Sequence, residues 1–255
     1  MSELIRAVER ALDVLMCFTN QTPELTMTQI SEMVGLNKST IHRLLATLEE
    51  KRFVERDAYS GLYRPGIRLI QMAFLTMDHN NLRRLVTPLL NNLSNQHREN
   101  VNLSVLDDTH VVYLEVIESP QRVKLAAARG QRLPAFCTAS GKAILAFLPE
   151  DKVIGILKSG MPRYTQNTII TPEAFIENIH RAREQGFAFS EQEFEEGINA
   201  IAAPITNSNG KPIASVSIAG PAYRLTRERM IEIGSDLVSQ IKEFAQEIEL
   251  AVNKG

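Results

Sequence analysis

Apolar residues recur at helical spacing from the start of the chain: Ile5, Val8, Leu12 and Leu15 fall on one side of a helix over residues 4–18. The next segment, LTMTQISEMVGLNKSTIHRLLATLEEKRFV, carries two further helical stripes. Ile30, Met33 and Val34 form the first. Thr28 is the expected N-cap, Glu32 sits one place beyond a strict capping box, and Gly35 is the expected stop. The second helix is capped by Asn37, and Ile41, Leu44, Leu45 and Leu48 are its buried stripe. Helix, short Gly-containing turn, helix is the spacing of a helix-turn-helix, but a helical hairpin in an all-α domain has it too. The following residues separate the two. FVERD and LYRPG are short β-patterned runs around the polar AYSG, which makes a wing. Three helices and a wing predict a winged helix-turn-helix DNA-binding domain over residues 1–68.

Residues 66–98 read as largely helical, broken near Pro88, and IRLIQMAFLTM is the natural connector, a linker helix over residues 69–81. From Val101 the period changes. VNLSVLD and HVVYLEVIE are β-rich runs around a polar break at Asp107–Thr109, and VKLAAA is a third expected strand. Ser140–Leu148 and PEAFIENIHRAREQG read as helices, the latter with Thr171 as cap, Pro172 in its first turn and Gly186 at its end. FAFSEQEF, INAIAAPITN and KPIASVSIAG read as strands, with Asn209-Gly210 turning between the last two. A long helix from Arg227 to Val252, striped by Met230, Ile233, Leu237, Ile241, Phe244 and Ile248, closes the pattern. Strands in hairpins with interspersed helices predict an α/β sensor domain on an antiparallel sheet over residues 82–255, and an α+β chain as a whole.

Composition narrows the class. The 255 residues suffice for two domains, and the aromatic and charged fractions are ordinary for a globular protein. No run approaches the ~20 apolar residues of a membrane span. The charged N-terminus has no secretory core, so the expectation is a cytoplasmic protein without membrane association. Cys17 and Cys137 give no metal spacing, and neither a metal nor a cofactor is expected. The net charge of −2 argues against a protein that coats nucleic acid nonspecifically. Residues 38–68 nevertheless hold seven cations against four anions, a local basic surface where the motif needs one.

Helical arithmetic places Ser39, Arg43, Ala46, Thr47 and Glu50 opposite the buried stripe of the second motif helix, with Thr40 and His42 on the flanks. Glu49 and Glu50 at its far end repel phosphate, so the N-terminal half enters the major groove. Arg43 is the candidate for a bidentate guanine contact, and Lys38 and Ser39 for phosphate at the helix N-terminus. Arg56 and Arg64, flanking the wing turn, are candidates for the DNA backbone. The partner is double-stranded DNA.

Beside these motifs the chain resembles the IclR family of bacterial transcriptional regulators. The resemblance rests on RAVERALDVLMCF, LNKSTIHRLLATLEEKRFVERD, LYRPGIRL, LPAFCTASGKAILAFLP and GFAFSEQEFEEGINAIAAPITNSNGKPIASVSIAGP. The family signature runs from Gly186 through Ser190, Glu193, Ala200, Ile201, Ala202 and Ile205 to Asn207, and Thr206 departs from its usual aromatic or His. The resemblance implies a GAF-like effector domain, a dimerising linker helix, a homodimer or dimer of dimers, and a palindromic operator. It implies a small carboxylate as effector, and it carries the effector pocket onto Leu125, Leu133, Ala139, Ser140, Ser190, Ile198, Ala200, Ser217 and Ala219. In TASGK, small residues and the N–H groups opening the next helix suit a carboxylate, although a tightly packed strand-to-helix turn would look the same. Keto-acid binders of the family are more polar at the positions of Ser190, Ala200 and Ala219. Two alanines there imply a larger, less polar acid.

The expected function is a ligand-responsive transcriptional repressor. Two alternatives carry different consequences: a constitutive DNA-binding protein whose sensor domain only oligomerises, and an enzyme using Cys137 as nucleophile. A thiol nucleophile needs a positioned base or a depressed pKa, and no His lies near Cys137 in sequence. No catalytic residue is therefore expected.

Overall fold

The structure, a computed structural model, describes residues 5–19, 22–72, 82–207 and 209–252, with side chains up to residue 244. The chain divides into two compact units, Met1–Asn81 and Leu82–Gly255. The first holds α1 (Arg6–Met16), α2 (Met27–Val34), α3 (Lys38–Glu50), β1 (Val54–Arg56) and β2 (Tyr63–Pro65), after which residues 67–72 are helical. Val14, Ile30, Ile41, Leu45 and Val54 are fully enclosed in its core, with Leu25 and Tyr63 beside them.

Local chemistry explains the element boundaries. Thr26, not Thr28, caps α2. Its hydroxyl accepts from the Gln29 N–H while Gln29 Oε1 accepts from the Thr26 N–H at 2.8 Å. Gln29 thus completes a capping box whose cap lies two residues before the expected one. Gly35 ends α2 in the left-handed region at φ 71°, and Asn37 Oδ1 caps α3 by accepting from the Thr40 N–H at 2.9 Å. In α1 the expected stripe is not the buried one. Ile5, Val8 and Leu12 are 71%, 55% and 55% exposed; of the expected four only Leu15 meets the core, joined there by Val14 and Cys17. Apolar residues cover more than half of this helix's circumference, so two faces compete and only one is used within the unit.

The second unit is a six-stranded, wholly antiparallel sheet in the order β5-β4-β3-β8-β7-β6. Its strands are β3 (Asn100–Asp107), β4 (His110–Ile117), β5 (Arg132–Pro134), β6 (Ala188–Glu191), β7 (Ile198–Thr206) and β8 (Pro212–Pro221). Its helices are α4 (Leu82–His97), α5 (Ala139–Leu145), α6 (Glu150–Leu157), α7 (Pro172–Gln185) and α8 (Arg227–Val252). Side chains alternate across the sheet. Val101, Leu103, Ile201, Ala203, Val216 and Ile218 share one core with α4 and α8. Val111, Tyr113 and Ala202 share the other with α5, α6 and α7.

Three expectations change here. α4 runs through Pro88 unbroken, because Val86, Leu89, Leu90 and Leu93 bury against the sheet, and the Thr87 hydroxyl donates to the Arg83 carbonyl at 2.7 Å. Residues 123–128 are not a strand. The Leu125 carbonyl accepts from Asn100 Nδ2 at 3.2 Å and the Val123 carbonyl from the Arg224 guanidinium at 2.9 Å, so side chains replace ladder partners. The edge strand is β5 instead, and α6 is an additional helix that the sequence pattern did not anticipate. Along α8, Met230, Ile233, Leu237 and Ile241 are buried and Phe244 packs against them, while the Ile248 side chain lies outside the described residues.

Glu115 on β4 is 2% exposed and lies between two guanidiniums, with Arg83 Nε donating to Oε2 and Arg129 Nε to Oε1, each at 2.6 Å. Burial pushes its carboxyl up, but Arg83, the Val116 N–H and Arg129 together outweigh it and hold the group below the usual carboxylate range. A depressed folded-state pKa contributes stability above the unfolded value, and that contribution is lost as pH falls through the folded one. Glu115→Gln should therefore cost about 1–3 kcal/mol in urea unfolding at neutral pH. The deficit should shrink as pH drops below the carboxylate range. A deficit that stays constant down to acid pH would show that the charge plays no part.

Candidate DNA-reading face and ligand cavity

α3 buries Ile41, Leu45 and Leu48 and turns its other side outward. Lys38, Ser39, His42, Arg43 and Thr47 are all exposed, and Thr40 is half-buried. Two of the polar groups are already engaged: the Ser39 hydroxyl donates to Asn37 Oδ1 at 2.8 Å, and the Thr47 hydroxyl to the Arg43 carbonyl at 3.0 Å. Among the described residues Lys38, His42 and Arg43 have no side-chain hydrogen bond or ion pair, so three exposed donors at one end of the helix are available to a ligand outside the chain.

The wing cations differ from these. Arg56 lies over the Tyr63 ring at 5.5 Å and donates to the Gly61 carbonyl at 3.4 Å. Arg64 pairs with Glu55 at 3.3 Å and approaches Glu24 at 4.0 Å. A phosphate must compete with these partners, most of all at Arg64. The turn itself is built on Asp57, whose Oδ1 accepts from the Tyr59 and Ser60 N–H groups and the Ser60 hydroxyl. Those bonds, Ser60's first, hold the Asp57 carboxyl below its ordinary range. They also raise Tyr59 fully into solvent at the wing tip. Tyr59 is an exposed aromatic that the sequence reading passed over, and its only signal was its place in the AYSG turn.

In the second unit a cavity of about 380 Å³ opens over the sheet face opposite α4 and α8. Its wall is drawn from distant parts of the chain. Leu125 comes from the strap 118–131 and Leu133 from β5. Ala139 and Ser140 come from the first turn of α5, and Ser190 from β6. Ile198 and Ala200 come from β7, and Ser217 and Ala219 from β8. All nine predicted pocket residues thus border one space. Cross-strand register sets the floor, with Ser190 opposite Ala200, Ala200 opposite Ala219, and Ala202 opposite Ser217.

The sequence reading missed other lining residues. Tyr113, Phe194, Lys124, Gln131 and Glu195 also border the cavity. Tyr113 is buried, and burial pushes its phenol up to about 12, so it stays a neutral donor. Lys124 is paired with Glu118 on the strap. Period-two alternation in HVVYLEVIE could have exposed Tyr113; nothing local marks the strap residues.

Thr138 caps α5, accepting from the Gly141 N–H at 3.3 Å. Ala139 and Ser140, at the first two helical positions, have N–H groups without an intrahelical acceptor. A Cβ on Gly141 would stand 2.1 Å from the Ala135 carbonyl oxygen, so this turn requires glycine. Behind it the Lys142 ammonium is fully buried against Glu193. Burial still pushes the Glu193 carboxyl up, the opposing pull of Lys142 notwithstanding. Cys137 is wholly buried, and burial followed by the Glu193 charge pushes its thiol up to about 12. Such a thiol is not an activated nucleophile. Among the described residues no group of three or more His, Cys, Asp or Glu could hold a metal ion, and no helix is long and apolar enough to cross a membrane.

Two family models match the chain: the IclR helix-turn-helix domain over residues 7–58, and the bacterial transcriptional regulator IclR C-terminal domain over residues 74–250. The chain is 33% identical over 217 residues to the HTH-type transcriptional regulator XynR of Escherichia coli, covering 85% of this chain and 86% of that protein. It is 29% identical over 242 residues to the transcriptional repressor IclR of the same organism, covering 94% and 88%. Among solved structures it resembles an IclR homolog from Microbacterium hydrocarbonoxydans complexed with 4-hydroxybenzoate. There the TM-score is 0.82, the identity 26%, and the coverage 94% of this chain and 99% of the other. The exposed donors of α3, the wing and the enclosed cavity are thus the parts of a known kind of regulator: the chain belongs to the IclR family of bacterial transcriptional regulators.

Proposed function

We propose that the chain is a ligand-responsive transcriptional repressor acting in the cytoplasm. It binds a palindromic operator as a homodimer or a dimer of dimers, and a small carboxylate in the cavity of the second unit alters its operator affinity. The observation that carries this reading is the meeting of nine residues, from six separate segments of chain, around one cavity beside the N–H groups that open α5. The 4-hydroxybenzoate bound by the Microbacterium relative supports an aromatic or comparably sized acid. So do the two alanines, Ala200 and Ala219, on the cavity floor.

On the operator, Arg43 is the base-reading residue, and Lys38, Ser39, Arg56 and Arg64 contact phosphate. Thr40, His42 and Thr47 border the groove-facing side. Arg43→Ala should weaken operator binding by about 1–3 kcal/mol and relax preference at one base pair per half-site. Equal losses on operator and random DNA would reduce Arg43 to a phosphate contact.

Residues 69–81 form the linker in this reading. One recognition helix reads too few bases for an operator, and a symmetric pair doubles the contacts. Ile67 and Ile70 are 44% and 52% exposed and Leu69 is half-buried, so an apolar surface here is available to a second copy. Phe74 and Leu75, the other expected contacts, lie outside the described residues. Ile70→Glu should shift the protein toward monomer in sedimentation and reduce operator affinity by about 10-fold or more. An unchanged dimer would move the interface elsewhere.

Ligand and DNA should be coupled by about 1–3 kcal/mol, read as a shift of operator Kd on adding a saturating acid such as 4-hydroxybenzoate. Ser140→Leu fills the first turn of α5 and should abolish that shift while leaving operator binding by the free protein nearly intact. A wild-type response in this variant would place the ligand outside the cavity. Operator affinity unmoved by any acid would favour the constitutive alternative.

A further inference from the structure

Three serine hydroxyls border the cavity, and the groups behind them decide where each proton points. Ser217 Oγ accepts from Asn102 Nδ2 at 3.4 Å, and Ser140 Oγ accepts from the Ser104 hydroxyl at 3.3 Å. Asn102 and Ser104 are wholly buried at successive same-face positions of β3, where water does not compete. A serine oxygen has one proton and two lone pairs. When a proton is directed at it from beneath, its own proton is left for the cavity. The Asn102 carboxamide turns its N–H side toward Ser217, and among the described residues its oxygen has no partner. Ser190 has the opposite polarity. Its hydroxyl donates to the Cys137 carbonyl at 3.0 Å, which leaves only lone pairs for a ligand.

Register separates the two kinds of group. Ser104 and Asn102 are neighbours on β3, which sets Ser140 and Ser217 side by side near the first turn of α5. Ser190 stands two strands away from Ser217, opposite Ala200, whereas Ser217 is opposite Ala202. Strand spacing and rise put these two positions roughly 10–12 Å apart.

We propose that Asn102 and Ser104 are positioning residues that make Ser140 and Ser217 donors. The cavity thereby selects an acid whose carboxylate meets this pair and whose distal hydroxyl donates to Ser190. This rests on the reading of the cavity as a carboxylate site and deepens it. The separation requires the acid and the hydroxyl at opposite ends of a rigid, largely apolar body, not on neighbouring carbons. Tyr113, Leu133 and Ile198 cover such a body.

Calorimetric titration of the full chain with benzoate, 4-hydroxybenzoate and 4-hydroxybenzyl alcohol tests the assignment. The wild type should bind 4-hydroxybenzoate about 5–10-fold more tightly than benzoate and should bind the alcohol more weakly than either. Ser104→Ala and Asn102→Ala should each weaken both acids by about 5–10-fold with the hydroxyl preference unchanged, which a general loss of structure would not do. Ser190→Ala should remove the hydroxyl preference and leave benzoate binding in place. Alcohol binding as tight as acid binding in the wild type overturns the proposal, as does unaltered acid affinity in both β3 variants. If none of the three probes binds the wild type, the carboxylate reading of the cavity falls as well. If 4-hydroxybenzoate binds with the expected pattern but leaves operator affinity unmoved, the polarity assignment stands and the regulatory reading fails.

Discussion

Leu103, Val216 and Ile201 stand on one face of the central strands, and Asn102, Ser217 and Ala202 on the other. This division between adjacent residues is the constraint on which the second unit depends. The first face is broad and aliphatic, and α4 and α8 close it completely. The second is small and polar along β3 and β8, and α5 covers it chiefly over β7 and β8. The cavity is the space that remains. A one-residue slip of any of these strands would put polar groups against α4 and α8 and aliphatic ones into the cavity.

The turn before α5 is held to the same sheet from above. Gly141 lets the backbone approach the Ala135 carbonyl, and Thr138 closes the first helical turn. The Lys142–Glu193 pair ties this helix to the chain just beyond β6, where Thr165 donates to the Gln192 carbonyl and Thr168 to the Glu193 carbonyl. A buried ammonium is costly unless it is paired, so the pair favours one placement of α5 over others of similar packing. That placement leaves the N–H groups of Ala139 and Ser140 over the floor set by Ser217 and Ala219.

The first unit divides its surface differently. Among the described residues Lys38, His42 and Arg43 have no side-chain partner on the exposed side of α3, whereas Arg64 is neutralised by acids of its own unit. Ile5, Val8, Leu12 and Met16 lie exposed along α1. An apolar stripe of this kind is uncommon on the free surface of a soluble domain. Both features belong to a unit whose chemistry is directed outward, in contrast to the inward-facing second unit.

Most of the architecture was legible in the sequence, since the periods of 3.6 and 2 record which side of each element is apolar. The caps Asn37 and Thr171, the stops Gly35 and Gly186, and the Asn209-Gly210 turn are local chemistry and stand where local chemistry put them. That these nine residues border one cavity was legible only through the family resemblance, because no spacing rule connects Leu125 with Ser217. What local pattern misjudged was decided by packing. VKLAAA has the composition of a strand, but Asn100 and Arg224 take its carbonyls, and it becomes the cavity strap. Pro88 lacks an N–H, yet the aliphatic face around it holds the helix straight through. The stripe on α1 was periodic in the expected way, but the core took Val14 and, of the stripe, only Leu15. The sequence by itself determined which faces are apolar and where elements begin and end, because those depend on near neighbours along the chain. Only the tertiary structure decided which apolar face is used, what encloses the cavity and which way its hydroxyls point, because those depend on residues brought together from distant strands.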